Sequence, residues 1–320
     1  MKRIGVLTSG GDASGMNPAL RAVVRTAIVN GLEVIGIERG YEGLLNGWLR
    51  PMELSSVGGI INRGGTILRT ARSERFKTEE GLQQASRILH DNHIDGLIVI
   101  GGDGSFRGAH RLQEVSGVPV IGIPATIDND IGGTEYTLGY DTALQVAMDA
   151  IDKIRDTADS FERIFVIEVM GRSRGFIAAA VGLAGGAEAV LIPEVPFDLV
   201  QVCEKLKKGI ARGKRSAIIV TAEGAASAHD VATFVEMYLR EETRATVLGY
   251  TQRGGSPTAT DRIMGARFGA LAVELLLRGQ SRMMTAWQRG ELVSVPLSAT
   301  WEQPRELDTS LLKLNEVLAS

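Results

Sequence analysis

A chain of 320 residues, 44% hydrophobic and 23% charged, holds ample apolar material for one large domain or two of ordinary size, and reads as a globular protein. Its net charge of -3 argues against a general nucleic-acid binder, although a near-neutral total can conceal a local arginine cluster. No apolar run approaches the ~20 residues needed to cross a bilayer, which excludes a spanning helix.

Taken in chain order, Arg3 to Thr8 is the first of seven short apolar runs that read as buried strands. Met1 to Leu7 is too short, and too soon followed by glycines, to be a secretory leader. Pro18 to Asn30 reads as a helix, Glu33 to Ile37 as a strand, and Gly96 to Ile100 and Val118 to Ile123 as two more. Thr142 to Ala158 places Leu144, Met148, Ile151 and Ile154 at three- and four-residue spacing, the stripe of an amphipathic helix. Ile164 to Val169, Ala187 to Ile192 and Ala217 to Thr221 complete the strands. Leu199 to Ile210 reads as a helix carrying Cys203; as the single cysteine it excludes an intrachain disulfide, fits a reducing compartment, and reads as a packing thiol. Ala259 to Leu277 is a further helix. The strands are continuous rather than alternating, as parallel strands covered on both faces are, and the β-α alternation predicts a doubly wound α/β fold. There is no internal repeat, low-complexity tract or long linker, which predicts a two-lobed body whose lobes are discontinuous in sequence. The 39 glycines lie at the ends of apolar runs, where tight turns need them.

Five strands run directly into polar turns: Ser9-Gly10-Gly11-Asp12, Gly101-Gly102-Asp103-Gly104-Ser105, Pro124 to Asp130, Met170-Gly171-Arg172 and Ala222-Glu223. Open parallel sheets bind ligands outside the carboxyl ends of their strands, so five such turns suggest a site. In Gly101 to Ser105, glycines let backbone amides approach a phosphate, and Asp103 offers a hard oxygen ligand for Mg²⁺. The same Gly-Asp-Gly is also good chemistry for a plain β-α turn. No P-loop or GxGxxG fingerprint occurs. Asp128 and Asp130 flank an amide; phosphoryl transfer needs positioned phosphates, a metal and a carboxylate near the accepting hydroxyl, yet Asp-Asn-Asp-Ile-Gly-Gly is equally a run of turn formers. Arg72, Arg163, Arg172, Arg244 and Arg253 sit at glycine turns or strand ends, where a guanidinium can grip phosphate bidentately; each alone is also an ordinary surface charge. His90, His93, His110 and His229 have neither metal nor triad spacing.

Read together, Thr8 to Asp12, Ile61-Asn62-Arg63-Gly64-Gly65-Thr66, Ala71-Arg72, Gly101 to Ser105, Thr126-Ile127-Asp128-Asn129-Asp130, Glu168 to Arg172 and Arg244 to Pro257 resemble the bacterial ATP-dependent 6-phosphofructokinase family, from about Lys2 to about Gly279. The resemblance implies two doubly wound, Rossmann-like lobes with mainly parallel sheets and an active site in the cleft between them: residues 1–138 plus 251–302 for ATP, and 139–250 plus 303–320 for the sugar phosphate. It implies a cytoplasmic glycolytic kinase that phosphorylates fructose 6-phosphate at its 1-hydroxyl, with Mg²⁺ and ATP and without nucleic-acid or membrane partners. Asp128 would be the general base, assisted by Thr126, Arg72 and Arg172. Asp103 and Asp130 would hold Mg²⁺. Gly10, Tyr41, Arg72, Ser73, Phe76, Gly102, Asp103, Gly104 and Ser105 would contact ATP. Thr126, Ile127, Asp128, Met170, Gly171, Arg172, Glu223, Tyr250, Thr251, Gln252 and Arg253 would bind the sugar phosphate, with Arg163 and Arg244 reaching it from a neighbouring subunit of a homotetramer.

Pyrophosphate-using relatives carry Asp where this chain has Gly104 and Lys where it has Ala125, so the resemblance favours ATP as donor. Departures stand beside the match. Tyr250 replaces a usual histidine, which predicts weaker sugar-phosphate binding because a phenol cannot become cationic. Ser14 replaces a proline, Ala125 a glycine and Phe176 an aspartate. Arg21, Arg25, Arg155, Glu188, Arg212 and Lys214 match an effector set for ADP or phosphoenolpyruvate, but Leu54, Gly59 and Ser216 replace an arginine, an aspartate and a histidine, which predicts weak or absent allosteric control. Other kinases sharing only Gly-Gly-Asp-Gly, a non-catalytic sugar-phosphate sensor, and a kinase of another ketose phosphate are the rival readings.

Overall fold

The computed structural model describes residues 1–319. In chain order its elements are β1 (Arg3–Thr8), α1 (Met16–Val29), β2 (Glu33–Ile37), α2 (Gly40–Leu45), β3 (Leu49–Met52), α3 (Glu79–Asp91), β4 (Gly96–Gly101), α4 (Asp103–Ser116), β5 (Val120–Pro124) and α5 (Tyr140–Phe161). They continue with β6 (Ile164–Val169), α6 (Phe176–Ala184), β7 (Ala189–Leu191), α7 (Leu199–Ala211), β8 (Ala217–Ala222), α8 (Ala228–Leu239), β9 (Thr243–Val247), α9 (Ala259–Leu277), β10 (Met283–Gln288), β11 (Glu291–Pro296), α10 (Ala299–Glu302) and α11 (Ser310–Leu318). The chain divides into two compact units. The first comprises Met1–Ile127, Ile131–Thr142 and Arg253–Arg305; the second comprises Asp128–Asp130, Ala143–Gln252 and the stretch from Glu306.

The first unit is built on a seven-stranded sheet in the order β11-β10-β5-β4-β1-β2-β3. Its five inner strands are parallel, and an antiparallel strand closes each edge. The central strands β1, β4 and β5 bury nearly every residue, which is why their sequence is continuous rather than alternating. Phe106, Leu97, Val99, Leu7, Leu44 and Leu89 fill one face of the sheet. On the other, α1 and α9 approach closely because Gly265 and Gly269 present no side chain: a Cβ on Gly269 would sit 2.6 Å from the Ala19 carbonyl. Pro18 is accommodated in the first turn of α1, where a missing N–H leaves no helical bond unmade.

The second unit is a four-stranded, fully parallel sheet in the order β7-β8-β6-β9. Ile164, Val166, Ile219, Leu206, Val231 and Val235 form its core together with Cys203. Burial pushes the Cys203 thiol up, so it remains a protonated packing group.

The seven expected strands are present: Ala187 to Ile192 contracts to Ala189–Leu191, Val118 to Ile123 shifts to Val120–Pro124, and the other five keep their bounds to within one residue. Four strands were not anticipated. β3 contains Pro51 and lies at a sheet edge, β9 is half-exposed around Arg244, and β10 and β11 form a hairpin whose Arg289-Gly290 turn has positive φ at both residues.

Candidate active site

Because β5, β4 and β1 are neighbours, their following turns share one end of the first sheet. The turn after β1 carries Gly10 in a left-handed conformation (φ 89°), its carbonyl accepting from Thr70 Oγ1 at 2.7 Å. A Cβ on Gly11 would meet the Arg253 guanidinium at 3.2 Å, and Arg253 also faces Asp12, Nη1 to Oδ1 3.9 Å. The turn after β4 enters α4 through Gly102, so the amide-rich, positive end of that helix opens on Gly102, Asp103 and Gly104. A Cβ on Gly101 would lie 2.5 Å from the Ser9 carbonyl, whereas Gly102 and Gly104 face open space.

Asp103 accepts from Thr300 Oγ1 at 3.1 Å and pairs with Arg107 at 3.0 Å, its side chain 43% exposed. Among the described residues no three His, Cys, Asp or Glu side chains cluster as a metal site. An exposed carboxylate with few protein neighbours nonetheless suits Mg²⁺, which keeps several waters and takes its other ligands from substrate phosphates.

Around this turn, Tyr41 Oη donates to the Ser105 carbonyl at 2.6 Å and its ring stacks on Phe76 at 3.9 Å. The two rings are only 6% and 4% exposed, so they brace this turn and present little surface of their own. Burial also pushes the Tyr41 phenol far above its ordinary value. Ser73 donates to Glu42 Oε2 at 2.6 Å, which fixes the segment after the exposed Arg72. That hydrogen bond, with those of Asn46 and the charge of Arg75, holds Glu42 below the usual carboxylate range. The turn after β5 is pinned by a bridge from Ala125 to Leu138 and by Thr137 Oγ1 donating to the Thr126 carbonyl at 2.7 Å.

In the second unit, Asp128 is 6% exposed, the next residue, Asn129, is left-handed (φ 52°), and Asp130 is half-buried. Gly171 (φ 141°) and Arg172 (φ 55°) turn sharply after β6, and both their N–H groups donate to Glu223 Oε1, at 3.1 and 2.7 Å. A Cβ on Gly171 would lie 2.4 Å from the Arg174 carbonyl, so only glycine fits. Gln252, almost fully buried, accepts from the Met170 amide at 2.8 Å through Oε1, and Thr251 Oγ1 donates to the Leu248 carbonyl at 2.6 Å. Tyr250 beside them is 79% exposed. Arg163 and Arg244 share one carboxylate: Glu242 accepts from Arg163 at 2.6 Å and pairs through its other oxygen with Arg244.

Of the residues matched to an effector site, Glu188, Arg212 and Lys214 line one cavity of about 550 Å³ with Lys205, Arg215 and Ser216. Glu188 is ion-paired with Lys214 at 2.9 Å and accepts from the Ile218 amide at 2.6 Å. Arg155 does not line it; its guanidinium donates to the Gly185 and Gly186 carbonyls. Arg21 and Arg25 lie on α1 in the first unit. Sequence reasoning overlooked Glu42, Glu242, Thr300 and Asp261. Only Asp261 carried a local signal, since Thr258-x-x-Asp261 is a capping-box spacing; Glu42, Glu242 and Thr300 each meet a partner distant in sequence, Ser73, Arg163 and Asp103.

The phosphofructokinase family pattern matches residues 3–276. The ATP-dependent 6-phosphofructokinase of Shouchella clausii is 54% identical over 319 residues, and ATP-dependent 6-phosphofructokinase 1 of Thermus thermophilus is 54% identical over 321, each match covering the whole of both chains. The structure of phosphofructokinase from Saccharomyces cerevisiae superposes on the entire chain with a TM-score of 0.90 at 33% identity, and the match covers 48% of the yeast chain. The pyrophosphate-dependent phosphofructokinase of Marinobacter aquaeolei, at 24% identity and a TM-score of 0.88, shares the fold over 97% of this chain and 86% of its own. With strand-end turns of this composition on two mainly parallel sheets and full-length relatives at this identity, the chain belongs to the phosphofructokinase family.

Proposed function

We propose that the chain transfers the γ-phosphoryl group of ATP to the 1-hydroxyl of fructose 6-phosphate, giving fructose 1,6-bisphosphate and ADP. The observation that carries the reading is the open N-terminus of α4, where Gly102 and Gly104 leave unobstructed space over helix amides and Asp103 stands beside them. Polyphosphate fits that end electrostatically and sterically. The full-length relatives named as ATP-dependent enzymes support the same donor.

In this reading Gly10, Arg72, Ser73, Gly102, Gly104 and Ser105 hold ATP, with Tyr41 and Phe76 bracing the turn. Asp103, with Asp130, would hold Mg²⁺, which when bound neutralises phosphate charge. Thr126, Ile127, Met170, Gly171, Arg172, Glu223, Tyr250, Thr251, Gln252 and Arg253 position the sugar phosphate. Asp128 takes the proton as the 1-oxygen bonds to phosphorus and the bond from the γ-phosphorus to the β–γ bridging oxygen breaks. Arg72 and Arg172 stabilise charge on the transferred group. Arg163 and Arg244 serve a neighbouring subunit in a cytoplasmic homotetramer, and Glu242 holds both of them ready. The cationic cavity around Arg212 and Lys214 supplies part of a weak effector site for ADP or phosphoenolpyruvate.

A coupled assay with fructose 6-phosphate tests the reading. Turnover is expected with Mg²⁺ and ATP and not with pyrophosphate. Turnover with pyrophosphate in place of ATP, or no turnover with either donor, would overturn it.

A further inference from the structure

Asp261 is 0% exposed, yet the function proposed above gives it no task. It lies in the first turn of α9, three residues after the capping Thr258, whose Oγ1 accepts from the Asp261 amide at 3.2 Å. Its carboxylate does not turn back to the cap. Oδ1 accepts from Tyr136 Oη at 2.7 Å and from the Gly139 amide at 2.7 Å; Oδ2 accepts from the Thr142 amide at 3.0 Å and from Thr142 Oγ1 at 2.5 Å. Gly139 and Thr142 bracket the start of α5, so one buried carboxylate serves the positive ends of two helices.

The far side of the same segment is attached to the turn that carries Asp128. Thr137 Oγ1 donates to the Thr126 carbonyl at 2.7 Å, the Leu138 amide donates to the Pro124 carbonyl at 3.0 Å, and Leu138 bridges Ala125. Residues 136–139 are therefore held between Asp261 on one side and Pro124 to Thr126 on the other. We infer that Asp261 is a positioning residue for the reaction: it fixes residues 136–139, and through them the register of the Thr126 to Asp130 turn. This inference rests on the proposed function.

The four donors occupy the four lone-pair sites of a carboxylate, which dictates what each substitution does. In Asp261→Asn an NH₂ faces N–H donors, so asparagine is no mimic. Thr142→Val deletes one donor and leaves the charge; Thr142→Ser keeps both bonds.

Steady-state kinetics with Mg-ATP and fructose 6-phosphate, thermal melting, and hydrogen exchange of residues 125–139 are to be measured on the purified full chain and these variants. In Asp261→Asn, kcat is expected to fall about 10²-fold, the effect of an ångström-scale misplacement of a reacting group. KM for ATP stays within about twofold and exchange in 125–139 accelerates. Thr142→Val falls partway, and Thr142→Ser returns to parent values. A folded Asp261→Asn protein with parental kcat and parental exchange in 125–139 would overturn the inference. Should Asp261→Asn fail to fold, Thr142→Val decides: a fall in kcat at constant KM supports the inference, and parental kcat overturns it. A parent protein without turnover refutes the proposed function instead, and the exchange of 125–139 in the two variants then decides the positioning.

Discussion

Replacing Glu223 by alanine removes the single carboxylate oxygen that receives the amides of Gly171 and Arg172. Those two residues form a sharp turn, with φ of 141° and 55°, and both N–H groups converge on that one oxygen. The left-handed conformation of Arg172 costs about 1–2 kcal/mol on its own, and the carboxylate offsets it. Glu223 is exposed, so each charge-assisted bond is set at about 1 kcal/mol, below the range for buried ones. Loss of both frees the turn by about 2 kcal/mol, which corresponds to a rise of about 30-fold in KM for fructose 6-phosphate. Glutamine retains an acceptor at Oε1 but loses the charge, so Glu223→Gln should raise the same KM only about fivefold. The assay is initial rates against sugar phosphate at saturating ATP, with KM for ATP as the internal control, expected within twofold of the parent. An alanine variant whose sugar-phosphate KM stays within twofold would refute the assignment of this turn, and equal effects on both substrates would show that the damage is not local.

Two further outcomes follow from single sites. Gly104 has an ordinary backbone conformation and nothing within 4 Å of an added Cβ, so Gly104→Asp should leave the melting temperature unchanged. Its carboxylate would repel a phosphate ~4 Å away by about 1–4 kcal/mol, raising KM for ATP at least about fivefold; an unchanged KM would argue that ATP does not pass over α4. Asp95 is held below the usual carboxylate range first by the Lys2 amide and also by the Arg3 amide, which tie its loop to the start of β1. A depressed folded-state pKa contributes stability above the unfolded value of about 3.9 and loses it as pH falls through the folded value. The melting difference between the parent and Asp95→Asn should thus be full above about pH 4 and close on further acidification; a difference that widens toward low pH would contradict the assignment.

The fold class was readable because Ile4 to Leu7, Leu97 to Ile100 and Ile218 to Val220 are apolar without interruption, which only doubly covered strands require. Strands that close sheet edges were not readable: β3 and β9 mix proline or arginine with partial exposure, and only tertiary pairing makes them strands. The strand-end turns stood out since glycine beside aspartate or arginine interrupts such runs abruptly. What stayed hidden was the support. The resemblance implies that Tyr41 and Phe76 contact a nucleotide, and nothing local states that they are stacked and buried. Glu242 reads as one surface acid among many until Arg163, 79 residues away, is brought to it. Asp261 draws its donors from residues 119 to 125 positions away, a relation set by topology.

The central claim is that Asp128 is the base in phosphoryl transfer, and Asp128→Asn with Mg-ATP and fructose 6-phosphate tests it most directly. The account predicts that kcat falls about 10²–10⁴-fold while both substrates still bind, since a general base contributes that much and asparagine keeps the side-chain shape. A variant that retains kcat within a few-fold of the parent would contradict it.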